Sequence, residues 1–492
     1  MDILIATGRL AQQTVKDSVG PHAEVLVVDT DVAAFITPRK LLKALEEQEI
    51  SKKYDLIFIP GLVSGNFSKV EEEIGCPIYL GPKHAYDLGF VIRFAGEFEF
   101  SKNIPACELL SSVRRDMALE TVAELEASAS SLLTINDLKL GPETRMKVMA
   151  EVVDATGLDE QMLSERIRTF IEKGADIIDL GASLNATPDD VERAINVARK
   201  ISSVPISIDT LETPLIKRAL EIGVDIVLSL NSSNIDSVGP DVANAGVAAV
   251  VIPDSGKGVE SLIANIEAAK AVGIKRLIAD PVLDPIGHGI AESIVRYYDF
   301  YNKYPDIPLF FGVGNVTELI DVDSSGVNST LCGIGADVGA SILFTPEFSD
   351  KTQGSIAELN ISSSMMLLAK ERNSSPKDLG IDLLILKEKR RREAATVPEG
   401  SIEAKDSGMW RLDPAGCIKI GVVPDPVGNS GLIVAEHKKA SIIGKDAGLI
   451  LDTLIEMELV STLGHAGYLG RELEKAELAL RLNRSYAQDD DF

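Results

Sequence analysis

The sequence predicts an α/β protein whose centre is a TIM-type (β/α)8 barrel over residues 148–375. An N-terminal Rossmann-like α/β domain (1–147) and a C-terminal α+β module (376–492) flank it. Three observations carry this reading. The chain has 492 residues, more than one ordinary core accommodates. Short β-like runs alternate with segments of helical period, the mark of parallel sheet with helical crossovers. Between 148 and 375 the alternation becomes regular, giving eight strand candidates in about 225 residues.

The first domain opens with DILIAT, AEVLVVD, DLIFIPG and CPIYLG, separated by helical segments such as PRKLLKALEEQ. The turn after its first strand, TGRLAQQ, lacks GxGxxG, so no dinucleotide is expected there. A scaffold or partner-docking role fits it better.

The barrel strands are read as VMAEVVDAT, ADIIDLGAS, PISIDT, DIVLSLN, VAAVVIPDS, KRLIADPVLD, PLFFGVGN and ASILFTPE. Thr187-Pro188 and Thr213-Pro214 each offer an N-cap followed by proline at the first helical position. GADIIDLG and GVDIVLSL echo one another 49 residues apart, as two βα units of one repeated architecture. Beyond 375 comes a basic helix-like run, LKEKRRREAA, read as a solvated or anion-facing surface. Strands CIKIGVVP, GLIVAEHKK and ASIIGK and two helices then complete the last module.

Composition narrows the function. A formal net charge of −26, spread along the chain, repels phosphate backbones and anionic lipid, so neither nucleic acid nor a membrane is expected as partner. The four cysteines are far apart and make no CxxC, which points to a reducing, cytoplasmic setting. The start, MDILIATG, reads as strand and turn rather than signal peptide, and no run of about 18 apolar residues marks a span. The five histidines make neither HExxH nor HxH, so no dedicated metal site is expected.

In a barrel the residues that end the strands converge on one mouth. These are Glu151 or Asp154, then Asp179 and Ser183, Asp209, Ser229 and Asn231, Asp280 or Asp284, and Asn315. Acids and amides predominate and no arginine ends a strand, which suits a neutral, nitrogen-rich heterocycle better than a polyphosphate. Asp179 reads equally as a partner for a backbone amide. Asp280 and Asp284 both precede proline, where aspartate also favours turns.

GADIIDLGAS, then PISIDT 26 residues after Asp179, then GVDIVLSL and LIADP, resemble the pterin-binding barrel of dihydropteroate synthases and methyltetrahydrofolate:corrinoid methyltransferases. The resemblance covers residues 148 to about 345; with both flanking domains, the chain resembles the archaeal dihydropteroate synthase-like proteins. It implies that Asp209 binds the aminopyrimidine edge of a reduced pterin of folate or methanopterin type and Asp280 its other polar edge. Asp154 would stand where the synthases place an asparagine that handles diphosphate or metal, which leaves a role for Mg2+ open.

The chain departs from the synthases at three loops. Ser183-Leu184-Asn185-Ala186 replaces Ser-Thr-Arg-Pro, Gly312-Val313-Gly314-Asn315 replaces Gly-Val-Ser-Arg-Lys, and SILFTP lacks Arg-x-His. FFGVGNVTELIDVDSSGVN and ADPVLDPIG are similar instead to methyltransferase segments, with Asn315 placed near pterin N5. Leu228 occupies the place of that family's strand-four asparagine, and Asn231 lies three residues on. Three readings follow from the resemblance: condensation of a pterin with an aryl amine, methyl transfer to a corrinoid protein or thiol acceptor, and non-catalytic pterin binding. It also implies a homo-oligomer.

Overall fold

The computed structural model describes residues 1–47, 54–384, 397–405, 411–425 and 431–490. The described chain divides into two compact units, Met1–Thr121 and Val122–Phe492. The basic run LKEKRRREAA lies outside the described residues.

In the first unit, β1 (Ile3–Thr7), β2 (Glu24–Val27), β3 (Leu56–Ile59) and β4 (Ile78–Leu80) form a parallel sheet in the order β2-β1-β3-β4. Strand side chains alternate between two cores, as the period-2 geometry of a strand requires. Leu4, Ala6, Ile57 and Ile59 pack with Leu41 and Ala44 of helix Pro38–Glu47, whereas Ile3, Ile5, Leu56 and Phe58 pack with Val15, Leu88 and Val91. Burial on both faces explains why these runs read as continuously apolar.

In the second unit, the hairpin β5 (Leu133–Ile135) and β6 (Leu138–Leu140) precedes eight parallel strands. These are β7 (Lys147–Val152), β8 (Ile177–Gly181), β9 (Ile206–Asp209) and β10 (Ile226–Leu230). Then come β11 (Ala248–Val251), β12 (Leu277–Ala279), β13 (Leu309–Phe311) and β14 (Ala340–Thr345). They close in the order β10-β11-β12-β13-β14-β7-β8-β9, the barrel expected from the sequence.

Alternation divides the barrel into an outer and an inner core. Val148, Ala150 and Val152 of β7, with Ile178 and Leu180 of β8, face the surrounding helices. Met149, Ile177, Leu228, Val250, Ile278, Phe310 and Ile342 fill the interior, and Ile135 and Leu140 of the hairpin join them. The interior is thus packed from below, and the residues above this layer form the mouth.

The helices between strands start and stop where the local chemistry directs. Thr187 caps helix Pro188–Ile201 in a reciprocal box with Asp190, as its sequence suggests. Thr213 does not cap its helix. It is the first residue of Thr213–Ile222, after Glu212, and its hydroxyl lies 2.9 Å from Ser237 Oγ, so a neighbouring helix takes the group that would have capped.

The last module has β15 (Ile418–Pro424), β16 (Gly431–His437) and β17 (Ala440–Gly444) in an antiparallel sheet. Ile418, Ile420, Ile433 and Ala435 pack on Ile450 and Leu454 of helix Ala447–Glu456 and on Leu469 and Leu473 of helix Leu463–Arg481. Asp413 secures the second helix, accepting from Ser461 N at 2.9 Å and Thr462 N at 3.1 Å and lying 2.9 Å from His465 Nδ1. Among the described residues no helix is long and apolar enough to cross a membrane. All four cysteines are free thiols.

One buried charge pair secures the base of the barrel. Lys147 opens β7 with its side chain 2% exposed, and its ammonium donates to Glu126 Oε1 at 2.5 Å and to the Arg145 carbonyl at 2.6 Å. Removing one member of such a pair leaves the other charge buried alone. Glu126→Ala is therefore expected to lower unfolding free energy by about 3 kcal/mol. Urea denaturation checks this, and a loss under about 0.5 kcal/mol would contradict it.

Candidate functional site

Above the inner core the interior of the barrel turns from apolar to acidic. Strand register sets the first acidic row, because Glu151 of β7 pairs with Asp179 of β8, and Asp179 pairs with Ser207 of β9. One step on, Gly181 pairs with Asp209. Two-residue periodicity therefore carries Met149 to Glu151, Ile177 to Asp179 and Ser207 to Asp209 along the inward face. An apolar strand such as PISIDT ends on a bare carboxylate because that carboxylate belongs to the mouth.

One carboxylate oxygen from each of Glu151, Asp179 and Asp209 lies within 4.8 Å of the other two. Asp179 is fully buried; its Oδ1 accepts from Ser207 Oγ, while its Oδ2 has no partner among the described residues. Among the described residues nothing donates to the carboxylates of Glu151 or Asp209. Gly181 makes room for this arrangement, since a Cβ there would stand 2.8 Å from Glu151 Oε1.

Burial without a cation shifts these groups upward. Desolvation, then repulsion from Asp209, Asp154 and Glu318, raises Glu151 to about 7. Desolvation raises Asp209 to about 6. Asp179 rises well above the carboxylate range through desolvation and then its two acidic neighbours, against the hydrogen bond from Ser207.

Asp280, one residue beyond β12, contributes a second acidic point. Its Oδ1 accepts from the Tyr297 hydroxyl at 2.6 Å and from Val282 N at 2.8 Å. Tyr297 is fully buried and its oxygen also lies 3.0 Å from the Phe310 carbonyl, so one phenolic proton faces two acceptors. Desolvation, offset in part by these donors, leaves Asp280 at about 6. Asp284 is turned away into an ion pair with Arg296 at 2.7 Å.

The remaining expected residues sit in the loops around the mouth. Asp154 is exposed, in the left-handed region with φ of 52°, and its carbonyl accepts from Gly157 N. Ser183 N donates to Thr156 Oγ1 at 2.9 Å, and the two hydroxyls lie 3.1 Å apart, which ties the loop after β8 to the loop after β7. Ser229 is buried at the register irregularity between Leu228 and Leu230. Asn231 Oδ1 accepts from Ser233 N and Ser233 Oγ, so that amide shapes its own turn. Asn315 is exposed in the short helix Gly314–Thr317, and its Nδ2 donates to the Leu283 carbonyl at 3.0 Å.

Three contributors went unassigned or unresolved in the sequence. Glu151 was one of two choices at the first strand; strand alternation from Met149 was the signal for it. Tyr297 carries no local signal, because its partnership with Asp280 depends on how helix Ile290–Lys303 docks. Asn234, 2% exposed, donates to the Ser229 carbonyl at 3.1 Å and likewise needed the folded loop to be seen.

The fold is a closed parallel barrel with an acidic mouth, and comparison with known proteins gives its family. Residues 153–321 match the family model described as pterin binding enzyme, and residues 412–489 match that described as PterinBD-DUF4346. An uncharacterized protein of Methanocaldococcus jannaschii is 38% identical over 523 aligned positions, covering 100% of this chain and 99% of its own length. The chain belongs to the pterin-binding, dihydropteroate synthase-like family.

Solved structures resemble it more distantly. A Yersinia pestis dihydropteroate synthase bound to a pterine-sulfa conjugate is 17% identical with a TM-score of 0.40, covering 49% of this chain and 99% of that one. The 7,8-dihydropteroate synthase of Vibrio fischeri is 18% identical with a TM-score of 0.40, covering 50% and 100%.

The raised acids make a signed prediction about pH. A carboxyl whose folded pKa exceeds its unfolded value holds a proton in the native state that the unfolded chain has already released. Its stabilising effect is complete below the unfolded pKa and is lost as pH rises through the folded one. With chelator present, stability should therefore fall as pH rises from the ordinary carboxylate range to about 7, and Glu151→Gln should remove about 3 kcal/mol of that fall. Thermal unfolding across this window checks it; an unchanged slope in the variant would contradict the assignment.

Proposed function

We propose that the chain is a transferase that binds a reduced pterin, of folate or methanopterin type, in the barrel mouth and moves a group to or from it. The observation that carries this reading is the set of inward acids from separate strands, Asp209 on one side and Asp280 on another, with no lysine or arginine ending any barrel strand. A 2-amino-4-oxopyrimidine edge offers several N–H donors, and carboxylates accept such pairs through charge-assisted hydrogen bonds. Asp209 would take that edge and Asp280, oriented by Tyr297, the other polar edge. Asp179 and Ser229 would complete the lining, while Ser183 and Asn231 would hold the surrounding loops.

Methyl transfer to a corrinoid protein or a thiol is favoured over condensation by one observation. The loops after β8 and β13 and the end of β14 carry no cation where a leaving diphosphate would need one. In that chemistry Asn315 would face N5, where hydrogen bonding must stabilise the proton that lets the methyl leave. Should condensation occur instead, Asp154, exposed on the rim, would meet diphosphate with Mg2+.

Calorimetry with a tetrahydropterin tests the binding claim. Asp209→Asn is expected to weaken affinity by about 1–3 kcal/mol, the scale of a lost charge-assisted bond. Unchanged affinity would remove Asp209 from the site. Asn315→Ala is expected to reduce turnover more than affinity, and equal losses would contradict a role confined to the transition state.

A further inference from the structure

Three carboxylates meet at the floor of the mouth with a single hydroxyl donor among them. Glu151, Asp179 and Asp209 lie close enough for one oxygen of each to reach a common centre, with all three atoms within 4.8 Å of one another. Such a gathering is not by itself a site. What distinguishes it is Asp179, which has no exposed surface and whose Oδ2 finds no donor among the described residues. An orphaned, fully buried carboxylate oxygen must either share a proton or meet a positive partner, because an unpaired buried charge is costly.

The surroundings do not supply that partner. Asp154 and Glu318, the other charged groups acting on Glu151, are both acidic. Glu318 is itself committed to Phe348 N at 2.8 Å, Ser349 N at 3.2 Å and Thr352 Oγ1 at 2.8 Å. Two arginines of the barrel are committed elsewhere. Arg193 donates to the carbonyls of Thr156 and Leu158, and Arg296 pairs with Asp284. Gly181 meanwhile keeps open the space that Glu151 occupies.

We propose that Glu151, Asp179 and Asp209 bind a divalent hard cation, Mg2+ or Mn2+, beneath the pterin position. Oxygen-only ligation by carboxylates selects ions of this class over zinc or copper. The place differs from Asp154, an exposed loop residue. Asp209 links the cation to the ligand: its carboxylate accepts nothing from the described residues and has two oxygens, so one is available to the metal and the other to a ligand N–H. The inference rests on the pterin reading only through that shared residue.

The full chain, stripped with chelator and titrated with Mn2+, provides the test by electron paramagnetic resonance. One saturable site per chain is expected, displaced by Mg2+, and Glu151→Gln should weaken Mn2+ about tenfold or more. Asp209→Asn, also on the partly exposed rim, should do the same. Asp254→Asn, at an acid bound to Ser232 N and Asn265 Nδ2 outside the cluster, should leave affinity within about twofold. Absence of a saturable site, or equal affinity in wild type and Glu151→Gln, overturns the proposal. Pterin binding measured in chelator separates the two ideas. Pterin without Mn2+ refutes the cation alone, and Mn2+ without pterin refutes the pterin reading alone.

Discussion

The chemistry of the mouth depends on one electrostatic constraint: several carboxylates occupy the inward face of a closed barrel where water is restricted and no cation ends a strand. Charge of one sign in such a place is costly to hold, and the surrounding residues moderate that cost without cancelling it. Ser207 gives Asp179 one donor, Tyr297 and Val282 give Asp280 two, and Gly181 leaves room for Glu151. The result is a site that favours protons, cations or N–H-rich ligands and disfavours anions. A fold optimised for stability alone would have filled these positions with apolar side chains, as the layer just below does.

Most of the fold was legible because its signals are local. The eight barrel strands are short, largely apolar runs, and several are followed by a helix of clear period, such as Pro188–Ile201 and Thr213–Ile222. The hairpin at Leu133–Leu140 was not recognised as the plug of the barrel, since its three-residue strands become meaningful only when Ile135 and Leu140 meet Met149 and Ile177. Thr213 looked like a cap because Thr-Pro is a good local signal, but the hydroxyl found Ser237 across the helix pair. Local chemistry proposes such bonds, and tertiary packing decides among them.

The site was legible in part for the same reason. Asp209 and Asp280 follow apolar runs directly, and the structure brings both to the mouth. Choosing between Glu151 and Asp154 needed the inward phase of β7, which runs through Met149 and so selects Glu151 for the interior. Asp154 lies on the following turn. Asn231 and Asn315 were chosen by position along the sequence, and each amide is engaged with its own or a neighbouring loop. Such side-chain commitments depend on loop conformations that no periodicity encodes.

The flanking parts have cores of their own, and the chemistry proposed rests on the barrel alone. Its central claim is that the acidic mouth holds a flat, N–H-rich pterin. Native mass spectrometry of the protein purified from its own cells tests this most directly, since it identifies what the mouth has selected from every metabolite present. The account predicts one reduced pterin per chain. A nucleotide or other polyanion bound there in its place would contradict it.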